Sequence, residues 1–236
     1  MKFSSFYQKS GNLSQIDWWD EKQVRRHCFS PLTSKTTLMK VVTCLSIIIS
    51  VQAVLAADTT GTINGRVSCA RVKHLGNTVV FIEKVDGICM PSQWHAVVDQ
   101  QNLVFVPQVL PIMVGTFVDF PNSDVVRHNV SSPPGSSNSF NLGTYDVGVT
   151  KTVTFPKVGE VPLLCNVHAE MSAFIVVLEN PYFAITDETG EYTVENVPQG
   201  KYTLTTWHEK LRSESKGVTV EVGKTVEIDF ELKRKR

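Results

Sequence analysis

The chain carries no excess charge of either sign. Its 236 residues hold 23 lysines and arginines against 23 aspartates and glutamates, and no segment interleaves basic residues with aromatics, so a nucleic-acid partner is not expected. It lacks an apolar run of spanning length: the longest, residues 41–55, has about 15 residues where a membrane helix needs roughly 20. It also lacks helical periodicity, since no useful length of chain repeats its apolar residues at intervals of three and four. Cysteines are few, five in all. No triad or oxyanion-hole signature accompanies any of them, which leaves nucleophilic catalysis without support. Length and an ordinary apolar content are those of a globular chain with one large or two small domains.

The run at 41–55 has the length of a secretory h-region. Lys40 precedes it, and Val54-Leu55-Ala56 offers small residues for cleavage after Ala56. Residues 39–56 therefore read as a signal peptide beginning at Met39, with an uncleaved anchor as the alternative. Residues 1–38 read as a non-native or disordered extension without a role in the mature protein. The product is expected to be periplasmic or extracellular, with no stable membrane insertion after cleavage. Export discards Cys28 and Cys44 and leaves Cys69, Cys89 and Cys165. An odd number in an oxidising compartment implies one thiol kept for another purpose. Cys69 and Cys89 could close a loop of about twenty residues, worth roughly 3 kcal/mol in chain entropy. The alternative is two unpaired buried thiols.

From residue 60 onward the chain reads as strands. Short β-branched runs at 63–67 and 78–82 are followed by 84–101, which reads as a connection. Residues 103–107 and 117–120 are apolar strands joined through Gly115-Thr116, a strand carrying His128 comes next, and 131–139 with Pro133-Pro134-Gly135 reads as a loop. Val149, Lys151, Val153 and Phe155 alternate at period two, and 161–165 and 174–178 are strands. Five more follow at regular spacing, 183–186, 192–194, 202–206, 218–222 and 226–232. Turn residues such as Asp187-Glu188-Thr189-Gly190 and Pro198-Gln199-Gly200 separate them.

Between the strands at 161–165 and 174–178 lies the stretch that concentrates chemistry, Leu164-Cys165-Asn166-Val167-His168-Ala169-Glu170-Met171. It puts a thiol, an imidazole and a thioether on one turn. Soft sulfur with imidazole suits copper, and two histidines, one cysteine and a weak axial methionine form the donor set of blue-copper sites. The missing histidine is His128. Structural zinc sites take Cys and His but not Met, and Cys165 with His168 three residues on suits one metal better than a thiol and its base. Asn129, beside His128, is expected to tie the two ligand segments together. His74 and His95 read as solvated, and Trp207-His208-Glu209 as a structural strand end.

Residues 102–178 resemble the cupredoxins of the plastocyanin and amicyanin branch. The resemblance rests on Phe105-x-Pro107, on Gly115-Thr116-x-Val118-x-Phe120-x-Asn122-x-Asp124 leading to His128-Asn129-Val130, and on Cys165-x-x-His168-x-x-Met171. It implies one type 1 copper held by His128, Cys165, His168 and Met171. The flanks resemble the carboxypeptidase regulatory-like, or transthyretin-like, β-sandwich through Gly65-Arg66-Val67, Val79-Val80-Phe81, Thr186-Asp187-x-x-Gly190-x-Tyr192 and Val197-Pro198-x-Gly200-x-Tyr202-x-Leu204. The expected fold is all-β: a Greek-key cupredoxin sandwich at 97–178 inserted into a small Ig-like or transthyretin-like β-sandwich at 58–96 plus 179–236. The expected function is single-electron transfer between redox protein partners, without enzymatic activity. The alternatives are a copper chaperone or scavenger, and an interaction module with a vestigial copper site, whose groove would have Trp94, Tyr182 and Trp207 to draw on.

Overall fold

A computed structural model of the chain describes residues 28–29, 59–70, 72 and 74–235. The signal peptide expected at 39–56 lies outside the described residues, as does nearly all of the extension expected at 1–38. Among the described residues every regular element is a strand, and no helix is long and apolar enough to cross a membrane.

The strands run in chain order through two sandwiches. After β1 (Cys28–Phe29) come β2 (Thr60–Cys69) and β3 (Val79–Ile82) of an outer unit. The chain then passes through β4 (Ile88–Cys89), β5 (Ala96–Val97), β6 (Asp99–Gln101), β7 (Val104–Val106), β8 (Val109–Met113) and β9 (Phe117–Pro121). An inner unit is completed by β10 (His128–Ser132), β11 (Phe140–Tyr145), β12 (Thr150–Thr154), β13 (Gly159–Leu164) and β14 (Ser172–Leu178). The outer unit resumes with β15 (Phe183–Ile185), β16 (Glu191–Pro198), β17 (Gly200–Trp207), β18 (Ser215–Val220), β19 (Thr225–Glu227) and β20 (Phe230–Leu232).

In the outer unit one sheet has the order β15-β3-β17-β18 and the other β16-β2-β19, with β20 also paired to β2. Alternation decides which side chains enter the core between them. In β16 Tyr192 and Val194 point inward while Glu191 and Thr193 point out, the period-two signature of a strand with one dry face. Ile63, Val67, Leu204 and Phe230 meet them there. Gly190 closes the turn into β16 at φ +88, and a Cβ on it would lie 2.2 Å from the Val67 carbonyl oxygen. Both facts call for glycine.

The inner unit packs a five-stranded sheet, β11-β10-β13-β14-β8, against a three-stranded one, β12-β9-β5. Phe120, Phe155, Val118, Val161, Leu163 and Ile175 are fully buried between them. Tyr145 threads a polar element through this core. Its hydroxyl donates to the Phe120 carbonyl (3.0 Å), and burial pushes that hydroxyl up to about 12.

Strand β14 belongs to both units. Ala173, Ile175 and Val177 point into the inner core, whereas Val176 and Leu178 point the other way, into a contact layer with Val79 and Val109 against which Phe174, Phe183 and Trp207 pack. Trp207 lies 5.4 Å from the Phe174 ring centroid, and its indole N–H donates to Glu160 Oε2 (2.8 Å). Trp207 thus fastens the outer unit to β13 and β14, the two strands that flank the Cys165 turn.

Several expectations need correction. Residues 84–101 are not a plain connection: β5 adds in parallel to β9 and β6 pairs with β7. The loop expected at 131–139 begins later, because Ser131 and Ser132 end β10. Residues 140–145, for which no strand is expected above, form β11 by pairing along β10. The run 226–232 is two strands, β19 and β20. Cys69 is a free, buried thiol, so it is not bonded to Cys89, which sits in a disulfide. Strand β1 pairs antiparallel with β4 and sets Cys28 opposite Cys89 in register. His95 is not simply solvated: its Nδ1 lies 3.0 Å from Asp119, and its ring stacks on Phe117 at 5.2 Å.

Candidate metal centre

Two neighbouring strands deliver the donor groups. His128 opens β10, and Cys165 directly follows β13. The two strands pair at Ser131 and Leu164, and the Ser131 hydroxyl donates to the Leu164 carbonyl (3.3 Å). The segment from Cys165 to Met171 is a tight turn held by its own backbone: the Met171 N–H donates to the His168 carbonyl (3.1 Å) and the Cys165 N–H to the Met171 carbonyl (3.3 Å). Such a turn brings the Cys165 and His168 side chains close to each other while Asn166, Val167, Ala169 and Glu170 stay exposed.

The donor groups converge on one point. His128 Nδ1, Cys165 Sγ and a ring nitrogen of His168 all lie within 4.8 Å of one another. The two Nδ1 atoms are 3.1 Å apart, and Cys165 Sγ is 3.9 Å from His128 Nδ1. Among the described residues this is the one group of three or more such side chains close enough to share an ion. His128, Cys165 and Met171 are buried, while His168 is half-buried. Met171 belongs to the same apolar core as Cys165. The sequence-derived trio is therefore brought together, with the methionine buried on the same turn.

The surrounding polar groups hold this arrangement. Asn129 accepts from the Asn166 N–H through Oδ1 (3.4 Å) and donates to Asn141 Oδ1 (2.9 Å), so it links the His128 strand to the Cys165 turn. Asn122, almost wholly buried, donates to the Val126 carbonyl (2.9 Å) and closes the loop that leads to His128. Asp124 was not singled out from sequence as a functional residue. Its Oδ2 lies 2.9 Å from His128 Nε2. Burial pushes its pKa up, but hydrogen bonds from the Leu103 and Val125 N–H groups and from His128 outweigh this and hold it below the ordinary carboxylate range. The available signal was the spacing of an acid four residues before a ligand histidine.

The donor set fits copper. A thiol that can ionise and two imidazole nitrogens in a dry pocket supply the soft and intermediate ligands this metal prefers.

This inner unit resembles the cupredoxins.

Its similarity to solved structures extends over about a third of the chain. A reduced amicyanin variant aligns at 23% identity over 36% of this chain and 84% of that one, with a TM-score of 0.34. The purple cupredoxin from Nitrosopumilus maritimus aligns at 23% identity over 34% of this chain and 97% of that one, with a TM-score of 0.32. The copper-containing nitrite reductase from Thermus scotoductus SA-01 aligns at 27% identity over 42% of this chain, with a TM-score of 0.36, and the chain spans only 26% of that protein. Residues 171–233 match the family described as the carboxypeptidase regulatory-like domain. That match begins at Met171, inside the cupredoxin-like unit. No curated protein sequence matches the chain.

Proposed function

We propose that the chain is an exported type 1 copper protein that passes single electrons between redox protein partners. His128, Cys165, His168 and Met171 are its copper ligands in this reading. The observation that carries it is the convergence of two imidazole nitrogens and a buried thiol within 4.8 Å of one another, beside a turn that also buries a methionine. Bound copper would supply a reversible one-electron couple. The protein's part is to hold the donors still: β10, β13 and the Asn129 bridge fix the ligand positions, so little has to move when charge changes. The core around Phe120, Val130 and Leu163 keeps water away.

The half-exposed edge of His168 is the natural exit for the electron. Val167 on the ligand turn and Val125 in the loop leading to His128 are exposed, Val125 at 88%, and each offers apolar surface on which a partner could dock without desolvating charge. Val167→Glu is expected to slow electron exchange with a redox partner several-fold while leaving the visible spectrum unchanged. Stopped-flow measurement would show it, and an unchanged rate would move the exit elsewhere. Export rests on the apolar run at 41–55 behind Lys40.

The interaction-module alternative loses its groove. Tyr182 is buried and Trp207 is engaged with Phe174 and Glu160, which leaves Trp94 as the exposed member of its three aromatics. The deciding experiment titrates the metal-free full chain with Cu(II) and follows visible absorption. The expected result is an intense thiolate-to-copper band at one equivalent that bleaches with reductant and returns with oxidant. Colourless copper binding would favour the chaperone, and absence of binding would overturn the copper reading.

A further inference from the structure

Trp207-His208-Glu209 takes no part in the metal centre. Trp207 is held by Phe174 and Glu160, and the two residues after it stand on the wall of a cavity of about 660 Å³. The cavity lies over the seam between the two units. Gln108 and Val109 line it from the inner one, and the segments around His74, His208 and Arg234 line it from the outer one. Clefts of this volume at domain junctions take metabolite-sized ligands rather than bare ions.

The wall is cationic in a chain of no net charge: Lys210, Arg234 and Lys235 line it with one carboxylate, Glu209. Glu209 pairs with Lys210 (3.5 Å), and Lys235 Nζ donates to the Glu209 carbonyl (2.9 Å). Arg234 forms no ion pair with any described residue, yet its backbone is fixed. It bridges to Leu211, while the Lys235 N–H donates to the Lys210 carbonyl (3.0 Å) and the Arg212 N–H to the Lys233 carbonyl (2.7 Å). A guanidinium anchored in this way offers a planar fork that matches the oxygens of a carboxylate or a phosphate.

Neutral groups complete the lining. His208 Nδ1 accepts from the Lys210 N–H (2.9 Å). Burial holds this ring below the ordinary histidine range, and the Lys210 and Lys235 charges push the same way against Glu209. The neutral ring therefore carries its proton on Nε2 and is a donor there. Asn77 donates to Gln108 Oε1 (3.3 Å), which leaves the Asn77 carbonyl and the Gln108 amino group for a ligand. Val109, from the contact layer, and Leu211, from the outer core, supply the apolar part.

We propose that this cavity binds a small organic oxyanion, with Arg234 holding the charged group and Val109 and Leu211 beneath an apolar body. None of these residues belongs to the metal centre, so the proposal stands apart from the copper reading.

Titration of the 15N-labelled full chain with phenyl phosphate, followed through backbone amide shifts, tests it. Saturable shifts are expected at Asn77, Gln108 and Lys210, with a dissociation constant of about 1 mM. Inorganic phosphate, which lacks the apolar body, and phenol, which lacks the charge, should each bind about tenfold more weakly. Arg234→Gln should weaken phenyl phosphate binding about tenfold. Lys201→Gln, the same loss of charge at the far end of β17, should leave it unchanged. Arg234 is exposed and secured through its backbone, so its variant keeps the fold, which the remaining amide shifts will show. Absence of saturable shifts below about 10 mM, or equal weakening by the two variants, would overturn the site. Inorganic phosphate binding as tightly as phenyl phosphate would overturn the organic ligand class.

Discussion

Replacing Cys165 with Ser is expected to abolish the thiolate-to-copper band completely while the protein stays folded. The exchange removes one polarisable atom and adds a hydroxyl of similar shape in a site that is 4% exposed. The serine hydroxyl is neither soft nor ionised near neutral pH, so it cannot supply the charge-transfer partner that makes such a site coloured. The variant is scored on two independent scales. Absorption after addition of one equivalent of Cu(II) should show no intense visible band, and the residual copper affinity, set by His128 and His168, should fall by at least about a hundredfold, beyond the 10–100-fold typical of losing an outer partner alone. A variant that keeps its colour would place the chromophore elsewhere and remove Cys165 from the ligand set. The metal-free thermal midpoint should move little, because the Cys165 thiol makes no short hydrogen bond whose loss would be felt.

The second large effect concerns stability. Phe120→Ala, deep in the inner core against Phe140 at 5.8 Å between ring centroids, should cost about 3–5 kcal/mol, or roughly 6 to 20 °C in melting temperature for a chain of this size. Gly190→Ala, in the outer unit, should cost a comparable amount, because φ +88 is strained for alanine and the new methyl would press on the Val67 carbonyl. Both variants are expected to lower one and the same calorimetric transition. The reason is β14, whose two faces fill the inner core and the contact layer, so neither sandwich can lose its packing without disturbing the other. Two separate transitions, each moved by only one of the variants, would refute that coupling.

How much of this was legible beforehand depended on which physical signal each element carries. The ligand turn was legible because Cys165, His168 and Met171 sit within seven residues and their chemistry is specific. His128 was legible because it opens a strand at the right remove. The outer strands, such as β16 and β17, announced themselves by their regular spacing and by the glycines and prolines between them. Strands β5, β6 and β11 did not. They are short or rich in polar residues, and they are strands because a neighbouring edge offers hydrogen bonds, which is information held by the partner strand. The cysteine pairing failed for a similar reason: spacing alone permits Cys69 with Cys89, but Cys69 faces the outer core and Cys89 lies on β4. Asp124 was visible as a residue, yet its relation to His128 depends on a loop closed by Asn122 and on a hydrogen bond from Leu103, twenty-one positions away in the chain. Trp207 was rightly read as structural, but the Glu160 partner that makes it a clasp lies on the other sandwich.

The placement of the inner unit also dictates an order of events as the chain is made. Strand β2 pairs with β16, Thr60 meeting Pro198 and Glu191 meeting Arg66, and then with β19 and β20 nearer still to the end of the chain. None of these partners exists until the whole inner sandwich has been synthesised. Strands β2 and β3 therefore keep unpaired edges until the chain has passed through β5 to β14. A folded insert brings its two ends together, with β3 leaving the outer unit and β15 returning beside it in register, Phe81 opposite Phe183. What would be a costly closure of a long flexible loop becomes the closure of a short one. The inserted unit brings the two halves of the outer sandwich within reach of each other.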